Sequence, residues 1–186
     1  MRDFDVIDDE VAVGSAAAID NLVVYSFCAW ILPEGNGEGD FGRIYGKEAV
    51  DDGPVSIFHA TSTGGYDRKV GLQHNRATSA GIWVTPTGSV VNGTRYHIAV
   101  TYDGNLTTND AVWYLNGVSQ TVTENSTPSG ALSDDSANTA KFGNSQDGSR
   151  SFNGLIGWAM LKDAILTAAE VNRAMWWGCS PGGPST

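Results

Sequence analysis

Between residues 96 and 123 the chain reads YHIAVTYDGNLTTNDAVWYLNGVSQTVT, and the Asn116-Gly117 step is its strongest conformational instruction. Both central residues of a type I′ turn need φ > 0, which Asn and Gly adopt at the least steric cost. Ahead of it Ala111, Trp113 and Leu115 alternate with Val112 and Tyr114, the period of two that marks a strand. The turn therefore predicts a hairpin in which Leu115 faces Val118 and Trp113 faces Gln120. The segment before it alternates as well, with Tyr96, Ile98, Val100 and Tyr102 on one side and His97, Ala99 and Thr101 on the other. This is the pattern of an antiparallel all-β domain.

A second dominant strand is expected over residues 22–32 (LVVYSFCAWIL), apolar at both alternate sets and hence covered on both faces. Short edge strands are expected within 3–13, where Asp8, Asp9 and Glu10 blunt an open edge. Further short strands are predicted at 43–45, 55–59, 69–72, 81–85, 89–91, 140–143 and 154–161. Residues 33–42 (PEGNGEGDFG), 47–54 and 144–153 read as polar turns, and 124–136 as a polar connection.

One helix is predicted, near the end. Thr167 is followed three residues later by Glu170, the spacing of a capping box, and Val171, Ala174 and Met175 follow on one face. At about two turns it is too short to stand alone and must dock on a sheet. Trp176 and Trp177 are expected to cover a core opening. The 186 residues read as one domain over 1–178 with a Pro/Gly tail at 179–186.

The formal net charge of -10, with the eleven Lys and Arg scattered, argues against nucleic acid as a partner. No stretch reaches the ~20 apolar residues that span a bilayer, so no membrane insertion is expected. The start MRDFDVIDDEVAV lacks the basic and apolar regions of an export signal, so the chain reads as trimmed or as used without export. Cys28 reads as a small core residue, with a Cys28–Cys179 bridge as the alternative.

The succession YSFCAWILPEG, YHIAVTYDG, VWYLNGV and KFGNSQDGSRSFNGLIGWAMLKDAILTAAEV resembles the laminin-G-like and pentraxin group of concanavalin A-like lectin domains, over about residues 5–176. That resemblance implies an all-β jelly-roll sandwich of two antiparallel sheets with one short C-terminal helix. It also implies a calcium site, with Asp51 and Asp52 before one core strand and Gln146 and Asp147 after Phe142-Gly143. Ser145 stands where pentraxins carry Glu, and Asn153 is the nearest match to their later ligands. Such a depleted set of oxygen donors would hold Ca²⁺ with a Kd of roughly 10⁻⁴–10⁻³ M. His97 falls on the family's strand histidine, a structural position.

No strand carries the alternating carboxylates of a sandwich glycoside hydrolase, and no zinc-type His or Cys spacing occurs. Tyr66, Arg68, Gln73 and His74 are the nearest thing to a polysaccharide-lyase set. The expectation is therefore a non-enzymatic binding or structural module on a virion surface, such as a bacteriophage decoration or appendage protein. Its partners would be capsid or tail proteins and host-surface glycans, and it would assemble as a homo-oligomer. The alternative is a secreted or cell-surface calcium-dependent carbohydrate-binding module, hence extracellular. Trp30, Trp83, Tyr66 and Tyr102 are the aromatic candidates for contact with a sugar.

Overall fold

Alternation along the chain becomes thirteen strands and one α-helix in the computed structural model, which describes residues 1–47, 55–60 and 68–177. In order they are β1 (Arg2–Asp5), β2 (Val11–Gly14), β3 (Val24–Pro33), β4 (Phe41–Lys47), β5 (Val55–Ala60), β6 (Lys69–His74) and β7 (Gly81–Val84). There follow β8 (Tyr96–Asp103), β9 (Val112–Leu115), β10 (Val118–Ser119), β11 (Thr123–Ser126), β12 (Ala140–Phe142), β13 (Asn153–Lys162) and α1 (Ala168–Trp177). The strands form a six-stranded sheet, β1-β13-β3-β8-β9-β10, and a seven-stranded sheet, β11-β7-β6-β5-β4-β12-β2. Every pairing is antiparallel. This is the expected two-sheet jelly-roll sandwich with its single C-terminal helix.

The central hairpin has the register read from its turn. Leu115 pairs with Val118, the Gln120 N–H donates to the Trp113 carbonyl at 2.8 Å, and Asn116 and Gly117 have φ of 49° and 78°. β3 and β8 pair along their length, from Val24↔Asp103 to Ile31↔Tyr96. Their inward residues, among them Tyr25, Phe27, Ile31, Ile98, Val100 and Tyr102, belong to the core between the sheets. Their outward residues Cys28 and Ala99 pack with Tyr114 under Leu166, Val171 and Ala174 of the C-terminal segment. Ser26 is the polar exception on that outer face. Its hydroxyl donates to the Ala164 carbonyl at 2.7 Å and accepts from the Leu166 N–H at 2.9 Å, so it ties the approach to α1 onto the sheet.

The capping box forms as read, with the Thr167 N–H on Glu170 Oε2 at 2.8 Å and the Glu170 N–H on Thr167 Oγ1 at 3.3 Å. Two features correct the sequence expectation. Residues 89–91 make no strand; the Ser89 N–H turns back to the Pro86 carbonyl beside Gly88 (φ 75°), and Val90 plugs the core. Trp176 and Trp177 do not cover a core opening, being 68% and 48% exposed. At 100° per residue, Trp176 falls opposite the buried Val171–Ala174 stripe and Trp177 on its flank. The structure also adds β11, on the edge beside β7, within what read as connection. The 179–186 tail and Cys179 lie outside the described residues; Cys28 is a buried free thiol.

One buried ion cluster joins three distant segments. The Lys47 ammonium, 1% exposed, donates to Asp20 Oδ1 at 2.6 Å and to Asp135 Oδ1 and its carbonyl, both at 2.7 Å. Asn21 and Asp135 close the cluster by exchanging backbone-to-side-chain hydrogen bonds of 2.6 and 2.9 Å. Removing one member of a buried pair strands the other's charge and typically costs about 3–5 kcal/mol. Lys47→Ala is therefore expected to lower unfolding free energy by that amount in urea titration. Lys141→Ala, which breaks the more exposed pair with Glu10, should cost under about 1 kcal/mol. Equal effects from the two variants would contradict this account.

Candidate functional site

Three loops meet at one rim of the sandwich: the β1–β2 turn, the β3–β4 loop and the β12–β13 loop. The β3–β4 loop is laced to the last by Glu34 N–H to the Asn153 carbonyl (3.0 Å), Glu38 N–H to the Ser151 carbonyl (2.9 Å) and Asn153 Nδ2 to the Asn36 carbonyl (3.2 Å). Lys141 spans to the first, donating to Glu10 Oε2 at 2.7 Å and to the Gln146 carbonyl at 3.1 Å. At the base of the rim Gly143 has φ 85° and lies flat on Phe4; a Cβ there would sit 1.9 Å from the ring. Glycine is thus required where β1 closes against this loop.

Within the β12–β13 loop the buried Asn144 acts as scaffold. Its Oδ1 accepts from the Ser145 and Arg150 N–H groups at 2.8 and 3.1 Å, and its Nδ2 donates to Ser151 Oγ at 2.7 Å. Asp147 is exposed but engaged: it accepts from Ser145 Oγ at 2.6 Å, Ser149 Oγ at 2.8 Å and the Ser149 N–H at 3.2 Å. The Ser145 hydroxyl foremost, then Ser149, holds its carboxyl below the ordinary range. Gln146 Oε1 is a buried oxygen with no hydrogen-bond partner.

Calcium asks for six to eight oxygens. Gln146 and Asp147 offer one orphan amide oxygen and a carboxylate already held by two hydroxyls, while a lysine ammonium occupies the Gln146 carbonyl. No group of three His, Cys, Asp or Glu that could hold a metal occurs among the described residues. The described half of the expected donor set supplies fewer oxygens than that number; the other half, Asp51 and Asp52, lies outside the described residues.

The aromatic candidates are not brought together at the surface. Trp83 and Tyr102 are fully buried, their rings 4.7 Å apart, with the Trp83 indole N–H on Asp110 Oδ1 at 2.9 Å. Both belong to the core between the sheets, so neither has a face for a sugar. Trp30 is half-buried on the outer face of the six-stranded sheet. Its indole donates to the Met175 carbonyl at 3.3 Å and its ring lies under the Arg95 guanidinium, 4.2 Å from the centroid. Tyr66 lies outside the described residues.

Gln73 and His74 alternate to opposite faces of β6, which separates two members of the lyase-like set. Gln73 Nε2 donates to Asn75 at 2.9 Å, whereas His74 shares a 3.0 Å hydrogen bond with the buried Tyr25 hydroxyl. Burial alone pushes the Cys28 thiol up to about 12. The groups with shifted ionisation inside the sandwich are thus core side chains displaced by loss of water. Sequence reasoning missed the exposed Trp177, although it shares a helical stripe with Glu170, Arg173 and Ala174 at spacings of three, four and seven.

The family model for the concanavalin A-like lectin/glucanases superfamily, laminin G type, matches residues 6–172. The chain belongs to that superfamily. A Bacteroides ovatus protein of proposed carbohydrate-binding function superposes with a TM-score of 0.62 at 14% identity, over 92% of this chain and 45% of that one. The CBM40 module of the Ruminococcus gnavus IT-sialidase superposes at 0.61 and 11% identity, over 94% and 97% of the two chains, and has also been solved with α2,3-sialyllactose. Domain 4 of the Geobacillus stearothermophilus arabinanase AbnA, in complex with arabinotriose, gives 0.56 at 18% identity over 88% and 71%. The likeness at these identities is one of fold. The chain spans less than half of the Bacteroides ovatus protein, and comparison with the curated proteins returned no match.

All three histidines are buried, and desolvation pushes each down to about 4. The folded-state value lies below the ordinary 6.5, so on acidification the unfolded chain takes up the proton first. Their contribution to stability is complete above pH 6.5 and is lost as pH falls towards 4. Melting temperature should therefore drop steeply across that window in scanning calorimetry. A flat profile between pH 6.5 and 4 would contradict the burial of neutral imidazoles.

Proposed function

We propose that this chain is a non-catalytic glycan-binding module of lectin-like fold. The observation that carries the reading is membership of the concanavalin A-like lectin/glucanase superfamily over nearly the whole domain, joined to a fold shared end to end with a carbohydrate-binding module. Support also comes from the site chemistry: the His, Tyr and Cys groups with shifted ionisation are displaced by burial in the core, where they would serve packing rather than proton transfer.

The proposal is metal-free at the β12–β13 rim, because Asp147 is organised by Ser145 and Ser149. The setting is extracellular. Display on a virus particle is the same module in another place, joined to capsid or tail proteins through an open edge such as β2 or β10, where Val13 and Val118 are exposed. No helix among the described residues is long and apolar enough to cross a membrane.

A glycan array probed with the labelled chain, with and without EDTA, tests this. Retention of a limited set of glycans, unchanged by EDTA, is the expected result. Retention of none would overturn glycan binding, loss under EDTA would overturn the metal-free part, and release of new reducing ends from a bound glycan would overturn the non-catalytic part. Calorimetry with Ca²⁺ on the wild type and on Asp147→Ala gives an independent reading, with no heat of binding expected from either.

A further inference from the structure

On the outer face of the six-stranded sheet, α1 leaves a groove of about 250 Å³ along β13. Two periodicities build it. On the helix, Glu170, Arg173, Ala174 and Trp177 share one stripe; on the strand, Met160 and Lys162 point to one face, two residues apart. The floor is apolar, from Met160, Leu166 and Ala174, and Trp177 stands at the side, 48% exposed.

The charges in this groove are unequal. Glu170 is committed to the helix start, its Oε2 accepting both the Thr167 N–H at 2.8 Å and the Thr167 hydroxyl at 2.9 Å. Lys162 and Arg173 are exposed and form no close ion pair among the described residues, although the charge of each reaches the Glu170 carboxylate and helps to hold it ionised. Two cations against the one carboxylate of the lining leave the groove net positive beside an apolar floor and an indole, on a chain whose formal net charge is -10. An exposed indole face suits the C–H face of a pyranose, and paired cations suit a carboxylate.

We infer that this groove binds an acidic sugar, its ring against Trp177 and its carboxylate between Lys162 and Arg173. The inference rests on the glycan-binding reading above and adds a ligand class and a place for it. The place is the helix side of the six-stranded sheet, away from the loop rim where Gln146 and Asp147 sit. Because the recognition is charge-assisted and exposed, its affinity should fall as salt rises.

The test uses a galacturonate trisaccharide and its carboxyl-reduced neutral counterpart as probes, followed by tryptophan fluorescence and calorimetry. The wild type is expected to bind the acidic form at least tenfold more tightly than the neutral one. Trp177→Ala and Arg173→Gln should each weaken the acidic form at least tenfold, Lys162→Gln should act in the same direction, and melting temperatures should stay unchanged because all three side chains are exposed. Equal affinity for the two probes, or variants that bind as the wild type does, would overturn the inference. If the array retains glycans equally with wild type and Trp177→Ala and the galacturonate probe does not bind, the groove falls while glycan binding stands. If neither probe nor any arrayed glycan binds, both fall.

Discussion

Two neighbouring strands, β3 and β8, are buried on both faces, and the architecture follows from covering them twice. On one side Tyr25, Phe27, Ile31, Ile98 and Val100 meet the seven-stranded sheet. On the other Cys28 and Ala99 would face water but for Leu166, Val171 and Ala174 of the C-terminal segment. Burying a side chain of this size is worth about 1.5–3 kcal/mol, enough to hold a ten-residue helix that would be marginal alone. Ser26 then sets where the segment lands, since its hydroxyl serves both a carbonyl and an N–H of the approach to α1.

A helix much narrower than the sheet beneath it covers only part of that face. Trp158 and Met160 of β13 pack against the helical cluster as partly buried residues, and Lys162 lies beyond it. The groove is thus a by-product of covering the central strands with one short element. Its charge is no by-product of composition, because the chain is acidic overall while the groove lining holds two cations to one carboxylate.

Local signals were read well because they are decided locally. Asn116-Gly117 needs no tertiary information to make a hairpin, and Thr167 with Glu170 needs none to start a helix. Sidedness was harder. Trp83 sits between Ile82 and Val84 in a strand apolar at both alternate sets, so alternation alone does not say which face meets solvent. Tyr102, by contrast, shares the face of Ile98 and Val100 that alternation marks as the core side. β11, with the sequence TENS, carries no apolar alternation, because an exposed edge strand is held by its backbone pairing to β7. At the rim, Asp147 is visible in the chain, but the hydroxyls that engage it become visible only once Ser145 and Ser149 are folded around it. The flank position of Trp177 follows from helical angle and was available from spacing, given which stripe of the helix is buried.

The Lys47 cluster has a consequence for how such a domain can diverge. Its members stand at positions 20, 47 and 135, on segments that otherwise meet only through the sandwich. Any one-step exchange of the lysine or of Asp135 passes through a protein with a charge lacking its counterpart in a dry interior. Lineages carrying this trio would be expected to keep it whole or to lose it whole. Co-variation of three widely separated columns, rather than similarity within a contiguous motif, would then be the inherited mark of this branch of the fold.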